Sequence, residues 1–322
     1  MSKTAVITGV TGQDGAYLSA LLLSKGYRVV GLIRPESRIN GAGLVKLGIE
    51  DDVEYRECEL TDVEQLSLCL QRYTPDEVYN LAALSSVSGS FRSPVETIQF
   101  NVNSTLSLLE AIRKSNAQIR LYHASSSEMF GKVDVLPIVE NTIVHPLSPY
   151  AISKASCHWA VINYREAFDI YSSCGILFNH ESYLRSADFF VKKVIVDSIA
   201  ISRGELSDLQ VGNIDIKRDF GWAKEYVKAM WLILQQEAPD DYVICSGHSI
   251  SLRSIIEHVF NRLNIALDKI QVNSDYFRPT EILDNYGDKQ KAVEILGWKY
   301  DMNFYEVLDI LIEEELSGIA QQ

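Results

Sequence analysis

Two short runs bring a hydroxyl, a carboxylate, a phenol and an ammonium within thirty residues of chain: Ser125-Ser126-Ser127-Glu128 and Tyr150-Ala151-Ile152-Ser153-Lys154. A tyrosine with a lysine one helical turn later can take a proton from an alcohol while hydride leaves the same carbon. Ser126 would add a second hydrogen bond to the reacting hydroxyl. Simple alcohol oxidation needs no further base, so Glu128 is surplus to it. Once the carbon has become a ketone, however, the neighbouring C–H is acidified, and a carboxylate can remove that proton and expel a β-hydroxyl as water. Each residue also has a plainer reading: a chance pair on a helix, a turn serine, a surface glutamate. Their context decides between the two.

The catalytic pair needs a helix, and Ser148-Pro149 supplies its start, with serine as N-cap and proline at the first helical position. Tyr150 then lies in the first turn, with Lys154 on the same face. The lysine charge and the positive helix end are expected to draw the tyrosine pKa down from its usual value of about 10. Upstream, Thr8-Gly9-Val10-Thr11-Gly12-Gln13-Asp14-Gly15 follows a strand and opens a helix. That placement suits a dinucleotide pyrophosphate: Gly9 for the tight turn, Gly12 for close approach of the backbone, Gly15 for helix–strand packing. The second strand ends in Ile33-Arg34-Pro35-Glu36-Ser37-Arg38. Arg34 favours the extra phosphate of NADP over NAD, while Glu36 would repel it, so NAD stays open. Glu59, after the third strand, is a candidate for the adenine side or else a solvated loop acid.

Apolar runs alternate with helical patterns around these motifs. Strands are expected at Ala5–Thr8, Tyr27–Ile33, Val53–Cys58, Glu77–Ala83 and Ile119–Ala124. Helices are expected from Gly15 to a stop at Gly26, after a Thr61/Glu64 capping box, and over Thr97–Lys114. The pattern predicts an α/β fold, a Rossmann-type doubly wound parallel sheet, with a smaller mixed C-terminal substrate lobe. The expected division is a dinucleotide-binding domain over 1–178 and a nucleotide-sugar-binding lobe over 179–322, with the chain crossing back between them. At 322 residues, 47% hydrophobic and 23% charged, the composition is that of a globular enzyme. A net charge of −13 argues against nucleic acid and anionic membrane as partners. The five cysteines (58, 69, 157, 174, 245) have no C-x-x-C spacing, which disfavours a zinc site and a disulfide framework. With no signal-peptide pattern and no apolar run of membrane length, the expected location is the cytoplasm.

At these residues the chain resembles the GDP-mannose 4,6-dehydratases, extended members of the short-chain dehydrogenase/reductase superfamily, from Val6 to about Tyr300. The resemblance is carried by Ile7–Tyr17, Glu77–Ala82, Ala124–Gly131 and Ser148–Lys154. It continues in Gly175–Ser182 (ending Asn-His-Glu-Ser), Lys217–Asp219, Ala229–Trp231 and Tyr276–Glu281. It implies a lyase with NADP(H) as internal hydride shuttle. Tyr150 takes the 4-hydroxyl proton, Glu128 the C5 proton, water leaves from C6, and hydride returns there. It further implies cofactor contacts from Gly9, Thr11, Gly12, Gln13, Asp14, Gly15, Arg34, Ser37, Glu59, Leu60, Tyr150 and Lys154. The GDP-linked substrate would meet Ser85, Ser126, Asn179, Lys193, Lys217, Arg218, Arg278 and Glu281, and the subunits would form a homodimer or homotetramer. The family pattern is departed from in three places: Ser126 for threonine, Pro35-Glu36 after Arg34, and Tyr183 for proline. Tyr183 is expected to border the pocket, which keeps GDP-manno-heptose open beside GDP-mannose. A plain C4 oxidase or 4-keto reductase, which needs no Glu128, is the alternative reaction, and a non-catalytic nucleotide-sensing protein is the alternative class.

Overall fold

The computed structural model describes residues 2–34, 41–115 and 118–318. Its first half alternates strictly. Strands β1 (Thr4–Thr8), β2 (Arg28–Ile33), β3 (Val53–Glu57), β4 (Glu77–Asn80), β5 (Arg120–Ser126) and β6 (Ser172–Leu177) are separated by helices. These are α1 (Gln13–Ser24), α2 (Ala42–Lys46), α3 (Val63–Tyr73), α4 (Val87–Arg92), α5 (Pro94–Ser115) and α6 (Pro149–Phe168). The second half holds β7 (Asn179–Glu181), α7 (Phe190–Ser202), β8 (Leu209–Val211), β9 (Lys217–Trp222), α8 (Ala223–Ile233) and β10 (Tyr242–Ile244). Beyond them lie β11 (Ser249–Ser251), α9 (Leu252–Arg262) and β12 (Ile270–Val272).

The main sheet is parallel throughout, in the order β10-β6-β5-β4-β1-β2-β3. Its strands are nearly continuous apolar runs because both faces are covered. Alternate residues serve opposite cores: Ile7 and Tyr79 pack with Met230 and Ile233 of α8, whereas Val6 and Val78 pack with Leu66 of α3 and Leu108 of α5. This is the doubly wound α/β sheet expected from the sequence. After β6 the chain leaves the sheet and returns as β10, where Phe178 N–H also donates to Ile244 O at 3.0 Å. The remaining strands form two small sheets, β11-β9-β7 and β12-β8. Among the described residues no helix is long and apolar enough to cross a membrane.

Local chemistry accounts for the element ends. Ser148 Oγ accepts from Ala151 N–H at 3.0 Å with Pro149 first in α6, as the sequence suggests. Gly26, just past α1, has φ +78°, the left-handed stop expected of it. The start of α3 differs from expectation. Asp62, not Thr61, is its N-cap, accepting from Glu64 N–H at 2.9 Å and Gln65 N–H at 3.1 Å. The Thr61 hydroxyl instead donates to Glu59 Oε1 at 2.8 Å.

Strand order reverses direction between β1 and β4, which is where open α/β sheets bind ligands. Thr8 fastens that point. Its hydroxyl donates to Asn80 Oδ1 at 2.9 Å and accepts from the N–H groups of Leu81 and Ala82, both at 3.1 Å. Gly9 turns away at φ +73°, and a Cβ there would meet Ala82 N at 2.9 Å. A Cβ on Gly15 would meet Gly9 O at 2.3 Å, so the third glycine lets α1 press onto the loop. Replacing Thr8 with Val keeps the shape but strips these partners, and denaturant unfolding should show a loss of about 1–3 kcal/mol. An unchanged stability would mean that the switch point is not held by this hydroxyl.

Candidate active site

One cavity of about 590 Å³ opens above this switch point. Its walls include the glycine loop, the ends of β2, β4, β5 and β6, and the start of α6. Ser126 (9% exposed) ends β5, and its Oγ accepts from Glu128 N–H at 3.3 Å, turning the chain into a short 3-10 segment over Ser127–Phe130. Tyr150 stands beside Ser126, whose hydroxyl favours the ionised phenol. Lys154 is buried with its Nζ donating to Ala124 O at 2.7 Å and lying 5.9 Å from the Tyr150 ring centre. Ser126, Glu128, Tyr150 and Lys154 therefore share one wall.

The electrostatics differ from the expectation of a lowered tyrosine. Burial pushes the Tyr150 hydroxyl up to about 12. The Ser126 hydroxyl and the Arg185 charge act downward, and the Glu128 charge acts upward. Burial also pulls Lys154 below its ordinary value, although its nearby thiols and Asp14 oppose that. Desolvation thus outweighs the helix end that the sequence emphasised. Within the protein alone, Tyr150 is a phenol at neutral pH.

The glycine loop meets the wall opposite through β7. Gln13 Nε2 donates to His180 O at 3.1 Å, and Ser182 Oγ donates to Gln13 Oε1 at 2.8 Å. His180 Nδ1 donates to Phe178 O, which can only accept, at 2.7 Å, and its Nε2 lies 2.9 Å from Asp14 Oδ2, so one proton is shared across the imidazole–carboxylate contact. Burial pulls His180 down, but the Asp14 charge and hydrogen bond more than reverse it. Burial likewise acts to raise Asp14, and His180 holds it below the usual carboxylate range. Asp14 is committed to this pair through its side chain, leaving its main chain for a ligand. Gly12 caps α1 without a side-chain hydrogen bond, so the first helical N–H groups are left for an anion, and the loop fits a dinucleotide pyrophosphate.

Of the other residues singled out in the sequence, Thr11, Arg34, Leu60, Ser85, Asn179, Arg218 and Arg278 line the cavity. Arg218 is buried, donates Nη1 to Lys217 O and Ile282 O, each at 2.7 Å, and keeps a buried Nη2 with no protein acceptor. It also feels the Glu128 charge. Four residues are not on the wall. Glu59 Oε1 is held by Thr61, Lys193 is captured by Asp197 one turn along α7, and Lys217 is exposed. Glu281 lies behind Arg278, accepting its N–H at 3.4 Å. Ser37, together with Glu36, lies outside the described residues. Tyr183 is a correction: it is buried beneath the ammonium groups of Lys46 (4.0 Å) and Lys192 (4.5 Å) and does not line the cavity.

Sequence reasoning missed His180, Arg185, Phe189 and Phe220, all on the wall. His180 and Arg185 lie in and just after the Asn-His-Glu-Ser run, which was noticed only as a family mark. Arg185 places its guanidinium 3.5 Å over the Phe189 ring and 3.5 Å from Glu181.

The chain as a whole has counterparts among known proteins. The chain matches the family described as GDP-mannose 4,6 dehydratase over residues 6–311. It is 42% identical to GDP-mannose 4,6 dehydratase 1 of Arabidopsis thaliana, across 98% of this chain and 90% of that protein. It is 38% identical to GDP-mannose 4,6-dehydratase of Vibrio cholerae, across 100% and 96%. Among solved structures, dTDP-glucose 4,6-dehydratase of Streptomyces venezuelae, with NAD bound, superimposes with a TM-score of 0.88 at 19% identity, covering 98% and 97%. RMD of Pseudomonas aeruginosa, complexed with NADPH, gives 0.82 at 23%, covering 99% and 100%. The structural likeness supports the fold, and the sequence matches, which run nearly end to end, place this chain in the GDP-mannose 4,6-dehydratase family.

Proposed function

We propose that this protein is a GDP-mannose 4,6-dehydratase, a lyase that uses a nicotinamide cofactor as an internal hydride shuttle. The observation that carries the proposal is the convergence of Ser126, Glu128, Tyr150 and Lys154 on the cavity that also receives the glycine loop and Arg218. The loop from Gly9 to Gly15 and the first turn of α1 would hold the cofactor pyrophosphate. Leu60 would lie on the adenine side, and Arg34 supports NADP over NAD. Arg218 and Arg278 suit the substrate diphosphate, with Ser85 and Asn179 beside the sugar and nucleotide. Residues 1–178 would then carry the cofactor, and 179–322, apart from the returning strand β10, the nucleotide sugar.

When bound there, the nicotinamide would supply the hydride acceptor for C4 and a positive charge that draws Tyr150 down from about 12 in its oxidised form, and the hydride donor for C6 in its reduced form. Tyr150 takes the proton of the 4-hydroxyl, with Ser126 as its hydrogen-bonding neighbour. The C4 ketone acidifies C5–H, and Glu128 removes that proton. Of the two protons then held by Tyr150 and Glu128, one leaves with the 6-hydroxyl as water and the other returns to C5. The sum is loss of one water and a 4-keto-6-deoxy sugar.

Glu128 on the cavity wall favours this reaction over plain C4 oxidation or 4-keto reduction, and the position of Tyr183 removes the reason for preferring a heptose. Helices α5 and α6 pack side by side and expose Val95, Ile152, Trp159 and Phe168, a face suited to pairing in a homodimer or homotetramer.

Incubation with GDP-mannose, and separately with GDP-manno-heptose, followed by product mass tests the proposal. GDP-mannose should lose one water, whereas a C4 ketone that retains the C6 oxygen would exclude dehydration. Glu128→Gln should slow product formation by about a hundredfold or more while still reducing its cofactor in a single turnover. Equal slowing of both steps would remove Glu128 from its role. Tyr150→Phe should slow cofactor reduction itself by about a hundredfold or more, and near-normal reduction would show that another group takes the 4-hydroxyl proton.

A further inference from the structure

Three consecutive residues at the end of β5 each face a residue of α6, and the three facing residues lie one turn apart. Ser126 acts on the Tyr150 hydroxyl, Lys154 Nζ donates to Ala124 O at 2.7 Å, and His158 Nδ1 lies 3.0 Å from Ser125 Oγ. Residues 150, 154 and 158 fall within about 80° of the helix surface, so they form one stripe facing the strand. The proposed reaction uses the first two contacts. The third is buried at both ends, with His158 5% and Ser125 2% exposed.

We propose that His158 is a positioning residue for the dehydratase reaction: through Ser125 it fixes the strand end carrying Ser126 and Glu128 against the helix carrying Tyr150 and Lys154. The inference rests on the function proposed above. A surface histidine on this helix would have no such leverage. Here the imidazole is the last of three anchors, and Ser125, the residue it holds, immediately precedes Ser126. Cys174 N–H donates to Asp241 Oδ1 at 3.0 Å, and Arg165 Nη2 grips the same carboxylate at 2.9 and 2.7 Å. The helix is thus tied to β5, to β6 and to the residue before β10 in one connected set. Burial first, and Arg165 with it, keep His158 below the usual histidine range, although Asp241 acts the other way. The ring is therefore neutral at physiological pH and can accept the hydrogen bond of the Ser125 hydroxyl at Nδ1.

Breaking the third anchor leaves every reacting group present but lets their separation drift. A shift of this kind slows chemistry more than it weakens binding. The test is the first-order rate of cofactor reduction in a single turnover with GDP-mannose, since that rate constant does not depend on how much of a variant is folded. His158→Ala and Ser125→Ala should each slow it by about tenfold to a hundredfold, with KM for GDP-mannose changed less than about threefold. His158→Gln, which can still accept from Ser125, should recover most of the rate. The double variant should be no slower than the worse single one, because both remove the same link. Rate constants that match the wild type, or losses that multiply in the double variant, would overturn the positioning role. A wild-type enzyme that fails to reduce its cofactor with GDP-mannose would instead overturn the function on which the role depends.

Discussion

The buried seam between the end of β5 and the first turns of α6 is the constraint on which the site depends. Lys154 enters it as an ammonium with a backbone carbonyl for a partner, which is a costly arrangement away from water. Tyr150 enters it as a phenol whose acidity is weakened by the same burial. The seam therefore holds Tyr150 in a protonation state that it must leave before it can accept a proton. That is what a site made to respond to incoming charge requires: a cationic ligand shifts the balance of Tyr150 far more in a dry seam than it could at a wet surface. The helix start at Ser148-Pro149 and the strand end at Ser126 exist to bring those groups to one place.

A second tie joins the halves of the cavity. The Asp14–His180 pair and the Gln13–Ser182 hydrogen bond link the first turn of α1 to β7. They connect the loop proposed to hold the cofactor with the strand that begins the substrate side. Because β7 pairs with β9, which carries Arg218, the glycine loop and this cavity-lining arginine sit on one continuous framework. Arg218 in turn feels Glu128, so nucleotide and base sides meet electrostatically as well as in space.

What could be read from the sequence was local in origin. The glycine loop, the Ser148-Pro149 helix start and the Tyr150–Lys154 spacing all follow from rules acting within one or two turns of chain. The doubly wound sheet followed from their alternation. The crossing back of the chain was expected, but features set by partners far along it were not legible: that β10 makes the return beside β6, and that Asp14 pairs with a histidine 166 residues away. The direction of the Tyr150 shift failed for a related reason, since burial depends on the whole fold whereas the helix end and Lys154 are local. Lys193 is a different kind of miss. Asp197 stands four residues later on the same helix, so its capture was visible in the spacing and was passed over in favour of a phosphate. Tyr183 shows the converse, where a departure from family pattern suggested a pocket residue and the fold buried it under two lysines.

The central claim is that one hydride leaves C4 and returns to C6 within a single site. GDP-mannose carrying deuterium at C4 tests it directly, with the label located in the product by NMR. The account predicts deuterium at C6 of the 4-keto-6-deoxy sugar, transferred without loss to free cofactor. Deuterium recovered on released cofactor, or a C6 free of label, would contradict it.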